Sequence, residues 1–218
     1  MEILDMWKYN LKLLSKRKMI IFFIFTLMLP FILNMSSMEY LEMCLPLFGV
    51  FLFSNIMLIE FDCKMVSSFS MTTSSKSKCF LFRILNNIIF YMVLSVLFLI
   101  FIKVFKIDAQ YEYRVIDVSY ITLLISGVIN TALFSLISIA VSNITKNDIL
   151  GMLGACAYWL FWFSVYGKAG FNVLLLNPFS ISAGIQGYFI YKVTTLILIL
   201  VLIIYNLHYI NKKLYKLK

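Results

Sequence analysis

Val118-SYITLLISGVINTALFSLISIAVSNI-Thr145 runs for 28 residues without a Lys, Arg, Asp or Glu. About 20 apolar residues cross the hydrocarbon core of a bilayer, so this one stretch is long enough for a transmembrane helix. The pattern repeats along the chain in Met19 to Met38, Met43 to Ile59, Ile84 to Ile102, Ile149 to Gly167 and Val193 to Asn211. The expected fold class is therefore all-α and polytopic, with six transmembrane helices.

Within Val118 to Thr145, the residues Ser119, Thr122, Ser126, Asn130, Thr131, Ser135, Ser138 and Ser142 fall largely on one helical face. Small hydroxyl residues in membrane helices either glue helices together or line a pathway, with glue the commoner use. Asn130 stands apart, because a carboxamide at mid-membrane needs a partner or water.

Orientation follows from Lys and Arg, which resist translocation. With the N-terminus inside, the inner loops hold 14 of the 19 basic residues; the outer loops keep Lys103, Lys106, Arg114, Lys168 and Lys192. Acidic residues divide evenly, with Glu39, Glu42, Asp108, Glu112 and Asp117 outside, so the whole formal charge of +9 lies on the inner face. Both termini are read as cytoplasmic. The basic balance then speaks for orientation and anionic lipid, not for nucleic acid.

One more uncharged stretch, Ala169 to Tyr191, carries Asn172, Asn177, Pro178, Ser180, Ser182, Gly184, Gln186 and Gly187. A seventh crossing here would place the four C-terminal lysines outside, so 169–191 reads as a re-entrant outer element. Irregular backbone at membrane depth survives only when buried in protein.

The first 18 residues set Leu4, Trp7, Leu11 and Leu14 on one helical face, the spacing of an amphipathic helix lying on the cytoplasmic leaflet. The apolar run that follows is too long for a signal-peptide core and has no small-residue cleavage site, so it is expected to stay as an anchor. Pro30 is placed to kink the first span; Pro46, near the start of the second, is structurally cheap. Between these spans lies a short outer hairpin, 36–43, reading SSMEYLEM.

The longest inner segment is Glu60-FDCKMVSSFSMTTSSKSKCFLF-Arg83. It is either a solvated loop or a short helix presenting Met65, Phe69 and Met71 to a soluble partner, as apolar anchors do in groove docking. In the fifth span Gly151, Gly154, Ala155 and Ala157 allow close backbone approach, and Tyr158, Trp159, Phe161, Trp162, Phe163 and Tyr166 form an aromatic belt.

Cys44, Cys63, Cys79 and Cys156 show no metal-ligand spacing and do not suggest a disulfide framework. His208, near the inner end of the last span, reads as an interfacial residue. Ser-His-Asp, Cys-His, His-Glu-x-x-His and phosphate-loop sets are all lacking, as is an intramembrane pair of carboxylates, so no enzyme is expected.

An N-terminal interfacial helix, six spans, an inner segment opened by Glu60, a short inner hairpin before the fifth span and Asn177-Pro178-Phe179 in the outer re-entrant element together resemble the permease subunit of a type-2, ABCG-like ATP-binding-cassette exporter. The resemblance covers essentially the whole chain, 1–218, as a single transmembrane permease domain. It implies that Trp7, Leu11 and Leu14 connect to an ATPase. It also implies that Glu60, Met65, Phe69, Met71 and Thr73, within the 60–83 coupling segment, dock in a groove of that ATPase. The pathway would lie between two permeases along their second and fifth spans, bringing in Phe51, Met57, Met152 and Phe161 alongside Asn130, under a cap at Asn177, Pro178 and Phe179. The chain departs from the family in its very short outer loops and in lacking a fused nucleotide-binding domain.

On this reading the chain itself holds no cofactor, and ATP and Mg belong to the partner ATPase subunit. The other expected partners are a second permease copy or paralogue and membrane lipid, in a bacterial plasma membrane. The second and fifth spans offer Phe48, Phe51, Phe53, Met57, Met152, Leu153 and Phe161 and no charge, which suits an amphipathic or lipophilic cargo such as a peptide or antibiotic. Two alternatives stay open. One is the substrate-binding membrane component of a vitamin importer, whose Ala-rich first helix contrasts with the Ala- and Gly-free MIIFFIFTLMLPFILNM here. The other is a membrane-embedded immunity or sensor protein without transport.

Overall fold

The computed structural model describes residues 24, 39–53, 76–105, 119–164, 176–182 and 187–215. Several expectations lie outside these residues. They are the interfacial helix 1–18 with Trp7, Leu11 and Leu14, the first span apart from Ile24, Met57, and the coupling positions Glu60, Met65, Phe69, Met71 and Thr73. Among the described residues the secondary structure is helical, without strands.

The helices are α1 (Leu45–Phe53), preceded by a π-helical turn over Tyr40–Cys44, α2 (Lys76–Phe105), α3 (Tyr120–Thr145), α4 (Asp148–Ser164) and α5 (Tyr188–Tyr215). Three segments, Ile84–Val104, Tyr120–Thr145 and Tyr188–Tyr209, are long and apolar enough to cross a membrane. At about 1.5 Å per residue the shortest of them, of 21 residues, extends for about 32 Å. That matches the roughly 30 Å of a bilayer's hydrocarbon core. The 17-residue α4 is apolar but shorter.

Helix α2 begins eight residues before the boundary that charge suggested, so Lys76 to Arg83 form its first turns and not the tail of a loop. Helix α5 likewise extends through Lys192 at its start. Charge alone does not end a helix whose backbone bonds are complete.

Burial is inverted relative to a water-soluble bundle. On α2 the buried positions Phe80, Ile84, Asn87, Tyr91, Leu94, Phe98 and Ile102 recur every three or four residues, while Ile89, Val93, Val96, Ile100 and Val104 are exposed. On α5 Ile197, Leu200, Val201 and Ile204 are exposed, whereas Asn206 and Thr195 are buried. A helix apolar on every side with amides turned inward is built for lipid outside and protein inside.

Helix α3 is the centre of the bundle and packs against α1, α2, α4 and α5. Its polar seam faces inward: Ser126, Asn130, Thr131, Ser135, Ser138 and Ser142 are all buried. At its N-terminus Ser119 accepts a hydrogen bond from the Thr122 amide at 3.3 Å, a side-chain cap. It ends at Lys146, whose left-handed backbone (φ 56°) lets its N–H reach the Ser142 carbonyl at 2.8 Å. Asn147 then caps α4 by accepting from the amides of Ile149 at 2.9 Å and Leu150 at 3.4 Å.

That tight turn lays α4 directly on α3. A Cβ on Gly151 would stand 1.7 Å from Ser142 Oγ and 2.6 Å from the Ser138 carbonyl oxygen, and one on Gly154 would meet Val141. Gly151 and Gly154 of α4 therefore serve close helix packing, with Ala155 fully buried beside them.

Candidate functional site

The site is organised by Pro46. Proline has no N–H to donate along the helix, and its ring crowds the carbonyl four residues earlier, here Glu42. The chain answers by widening into the π turn Tyr40–Cys44, closed by the Leu45 amide on the Tyr40 carbonyl. Three successive carbonyls of this turn each accept a donor from a different helix. Leu41 O takes Tyr91 Oη of α2 at 3.2 Å, Glu42 O takes Asn130 Nδ2 of α3 at 2.9 Å, and Met43 O takes Trp159 Nε1 of α4 at 2.9 Å.

The Glu42 side chain points into the bundle and has 0% exposure. Its partner is Lys192 of α5, whose Nζ lies 2.8 Å from Glu42 Oε1 with its side chain 8% exposed. Ser126 Oγ donates to Oε1 at 2.7 Å, and the Ile181 amide reaches the same oxygen at 3.4 Å. Glu42 Oε2 accepts from the Ser182 amide at 2.6 Å and from Ser182 Oγ at 2.5 Å. The remaining donors of Lys192 go to the Pro178 carbonyl and to Asn130 Oδ1, the latter at 3.4 Å. Both ions have their hydrogen-bonding capacity filled, the condition under which a charge pair is tolerated in a low-dielectric interior.

Asn130 closes the network. Its Nδ2 also donates to the Pro178 carbonyl at 2.9 Å, so one carboxamide bridges the π turn, the segment 176–182 and Lys192. At 1.5 Å per residue, Ser126 and Asn130 lie about 10 and 17 Å along α3 from its capped end.

Each residue of Asn177-Pro178-Phe179 has a separate task. Asn177 Oδ1 accepts from the Phe179 amide at 2.9 Å, an Asx turn that reverses the chain. Pro178 supplies the carbonyl shared by Asn130 and Lys192. Phe179 is fully buried, its ring 6.1 Å from that of Phe134 on α3. The described part of this stretch, 176–182, is irregular backbone, buried at 177–181, while Tyr188 to Tyr191 already belong to α5.

The sequence-derived site residues distribute unevenly. Asn130, Asn177, Pro178 and Phe179 are brought together. Met152 is half-buried on α4, and Phe161 is 46% exposed, on a different surface from the fully enclosed Asn130. Phe51 lies in α1.

Glu42 and Lys192 correct the sequence reading, which put both in outer loops. Bounding apolar runs at charges assigns every charge to a loop by construction, so an ion pair inside the bundle cannot emerge from it. A usable signal was present: Lys192 stands alone between two long uncharged stretches, 169–191 and 193–211, and Glu42 directly abuts the run that starts at Met43. An isolated charge in such a setting is more economically placed within the membrane, with a partner, than in a one-residue loop.

Among the described residues no cluster of His, Cys, Asp or Glu could hold a metal ion. The site's chemistry is that of a fixed, neutralised pair: it positions backbone. In comparisons with protein-family models, with curated proteins and with solved structures, the chain matches none.

Proposed function

We propose that this chain is the membrane-spanning subunit of an ATP-driven exporter, moving an amphipathic or lipophilic cargo, a peptide or antibiotic, across a bacterial plasma membrane. It crosses six times with both termini cytoplasmic, pairs with a second copy or paralogue, and draws power from a separate ATP-binding-cassette ATPase. The observation that carries the reading is the outer segment Asn177–Ser182, folded into the bundle against the central helix α3 and not looped out. A re-entrant element before the last helix belongs to the ABCG-like permease layout that the sequence resembles. The charge bias of the loops supports the orientation. Alternating access then requires the permease halves to exchange between discrete packings as the ATPases close.

The test is recovery of the tagged chain from its native membrane in mild detergent, with identification of co-purifying proteins and an assay of ATP hydrolysis. A nucleotide-binding subunit at near one-to-one stoichiometry is the expected result, and Phe69→Asp should abolish it while leaving insertion intact. A monomer without ATPase would overturn the proposal in favour of an immunity or sensor protein without transport.

A further inference from the structure

We propose that the Glu42–Lys192 pair is a latch that holds Asn177–Ser182 as a displaceable plug inside the bundle, and that parting the two charges exposes this segment to water. Glu42, Asn130 and Lys192 each tie the segment to the helices described above, and Tyr158 Oη of α4 donates to the adjoining Leu176 carbonyl at 3.3 Å. Glu42 alone receives the amides of Ile181 and Ser182 and the Ser182 hydroxyl, while Lys192 holds the Pro178 carbonyl. The same two ions thus hold both ends of the segment and each other.

Two further features make this a switch and not a rivet. Regular helix needs no side chain to satisfy its backbone, whereas a turn-rich segment at this depth does. Parting the two charges leaves the Pro178 carbonyl with Asn130 alone and frees Glu42 to turn away from the amides of Ile181 and Ser182, so the ties of the segment weaken together. Between the segment and α5 stands Gly187, with φ of +80° and open space around its Cβ position, and the Ile190 amide bonds to its carbonyl at 3.0 Å. A glycine in the left-handed region turns the chain at little steric cost, and here it separates the plug from the helix that carries Lys192. The Ser180 hydroxyl, fully buried without a hydrogen-bond partner, is the natural reporter position.

The experiment uses the full chain with its four native cysteines replaced by alanine and Ser180→Cys added. A membrane-impermeant maleimide is applied to intact cells and, separately, to inverted vesicles. In the parent background Cys at 180 should stay unlabelled from both sides. Adding Glu42→Gln with Lys192→Met removes both charges together and should raise labelling at least tenfold, with the protein still inserted and monodisperse. Should that variant not be recovered, Ser182→Ala, which removes one tie and keeps the ion pair, should give a smaller but measurable rise. Protection from both sides in a recovered variant would overturn the latch, as would loss of both variants from the membrane, which would make the pair a folding requirement. The inference rests on the exporter reading only for the side from which label arrives. Labelling confined to inverted vesicles would keep the latch and refute the orientation.

Discussion

The two ends of α3 solve the same problem by different means. Around Ser126 and Asn130 the neighbours are held by full charges, Glu42 and Lys192, converging on irregular backbone. Toward the other end the contacts are neutral. Asn143 Nδ2 donates to Asn206 Oδ1 at 2.9 Å, Asn87 Nδ2 donates to Ser135 Oγ at 2.7 Å, and Gly151 lies against Ser142. The difference follows from what is being held. Helix against helix needs only close packing and an occasional amide bond, since the backbone is already satisfied. A buried turn needs strong acceptors and donors aimed at its main chain, and charges supply them.

Single-charge removal should separate the ends most sharply. Lys192→Met leaves Glu42 buried with no counter-ion, a loss of about 3–5 kcal/mol, to be read as reduced recovery and a lower detergent unfolding midpoint. Replacing both ions by Leu should cost much less than the sum of the single changes, and additive losses would show that the two charges are not coupled.

At the neutral end the largest effect is expected from Gly151→Val. Its side chain meets the Ser138 carbonyl, which cannot rotate away, so about 1–3 kcal/mol is at stake. Unchanged stability would mean that α4 does not seat on α3 as described. A double-mutant cycle on Asn143→Ala and Asn206→Ala should return a coupling near 0.6 kcal/mol and no more than about 1.7 kcal/mol, the range for hydrogen bonds between membrane helices. A coupling as large as that of Glu42 with Lys192 would erase the contrast between the ends. Smallest of all, Ile197→Ala on the exposed face of α5 should shift stability by less than about 0.5 kcal/mol, measured on the same unfolding curve.

Much of the fold was legible because the physics of the bilayer is written in composition. Uncharged length marks α2, α3 and α5, and the Ser and Asn spacing of α3 marks the face that turns inward. Asn130 and Asn177-Pro178-Phe179 were visible for a related reason, since polar or irregular residues at depth demand partners. The partners themselves were not legible. Glu42 and Lys192 are 150 residues apart in sequence, and no local pattern links them. The π turn escaped as well, because Pro46 near a helix start reads as harmless unless the fate of the preceding carbonyls is asked.

Those carbonyls have a consequence for how the sequence can vary. Leu41, Glu42 and Met43 present consecutive oxygens to Tyr91, Asn130 and Trp159, so they work like the teeth of a key read by three separate wards. A residue can be exchanged here while its main-chain oxygen stays in place. Deleting Cys44 or Leu45 would rotate Leu41, Glu42 and Met43 together by about 100° and advance them by about 1.5 Å, misaligning all three readers at once. Drift in this stretch should therefore be strict in length, and at Leu41 and Met43, both fully buried in the core, confined to apolar side chains of similar volume.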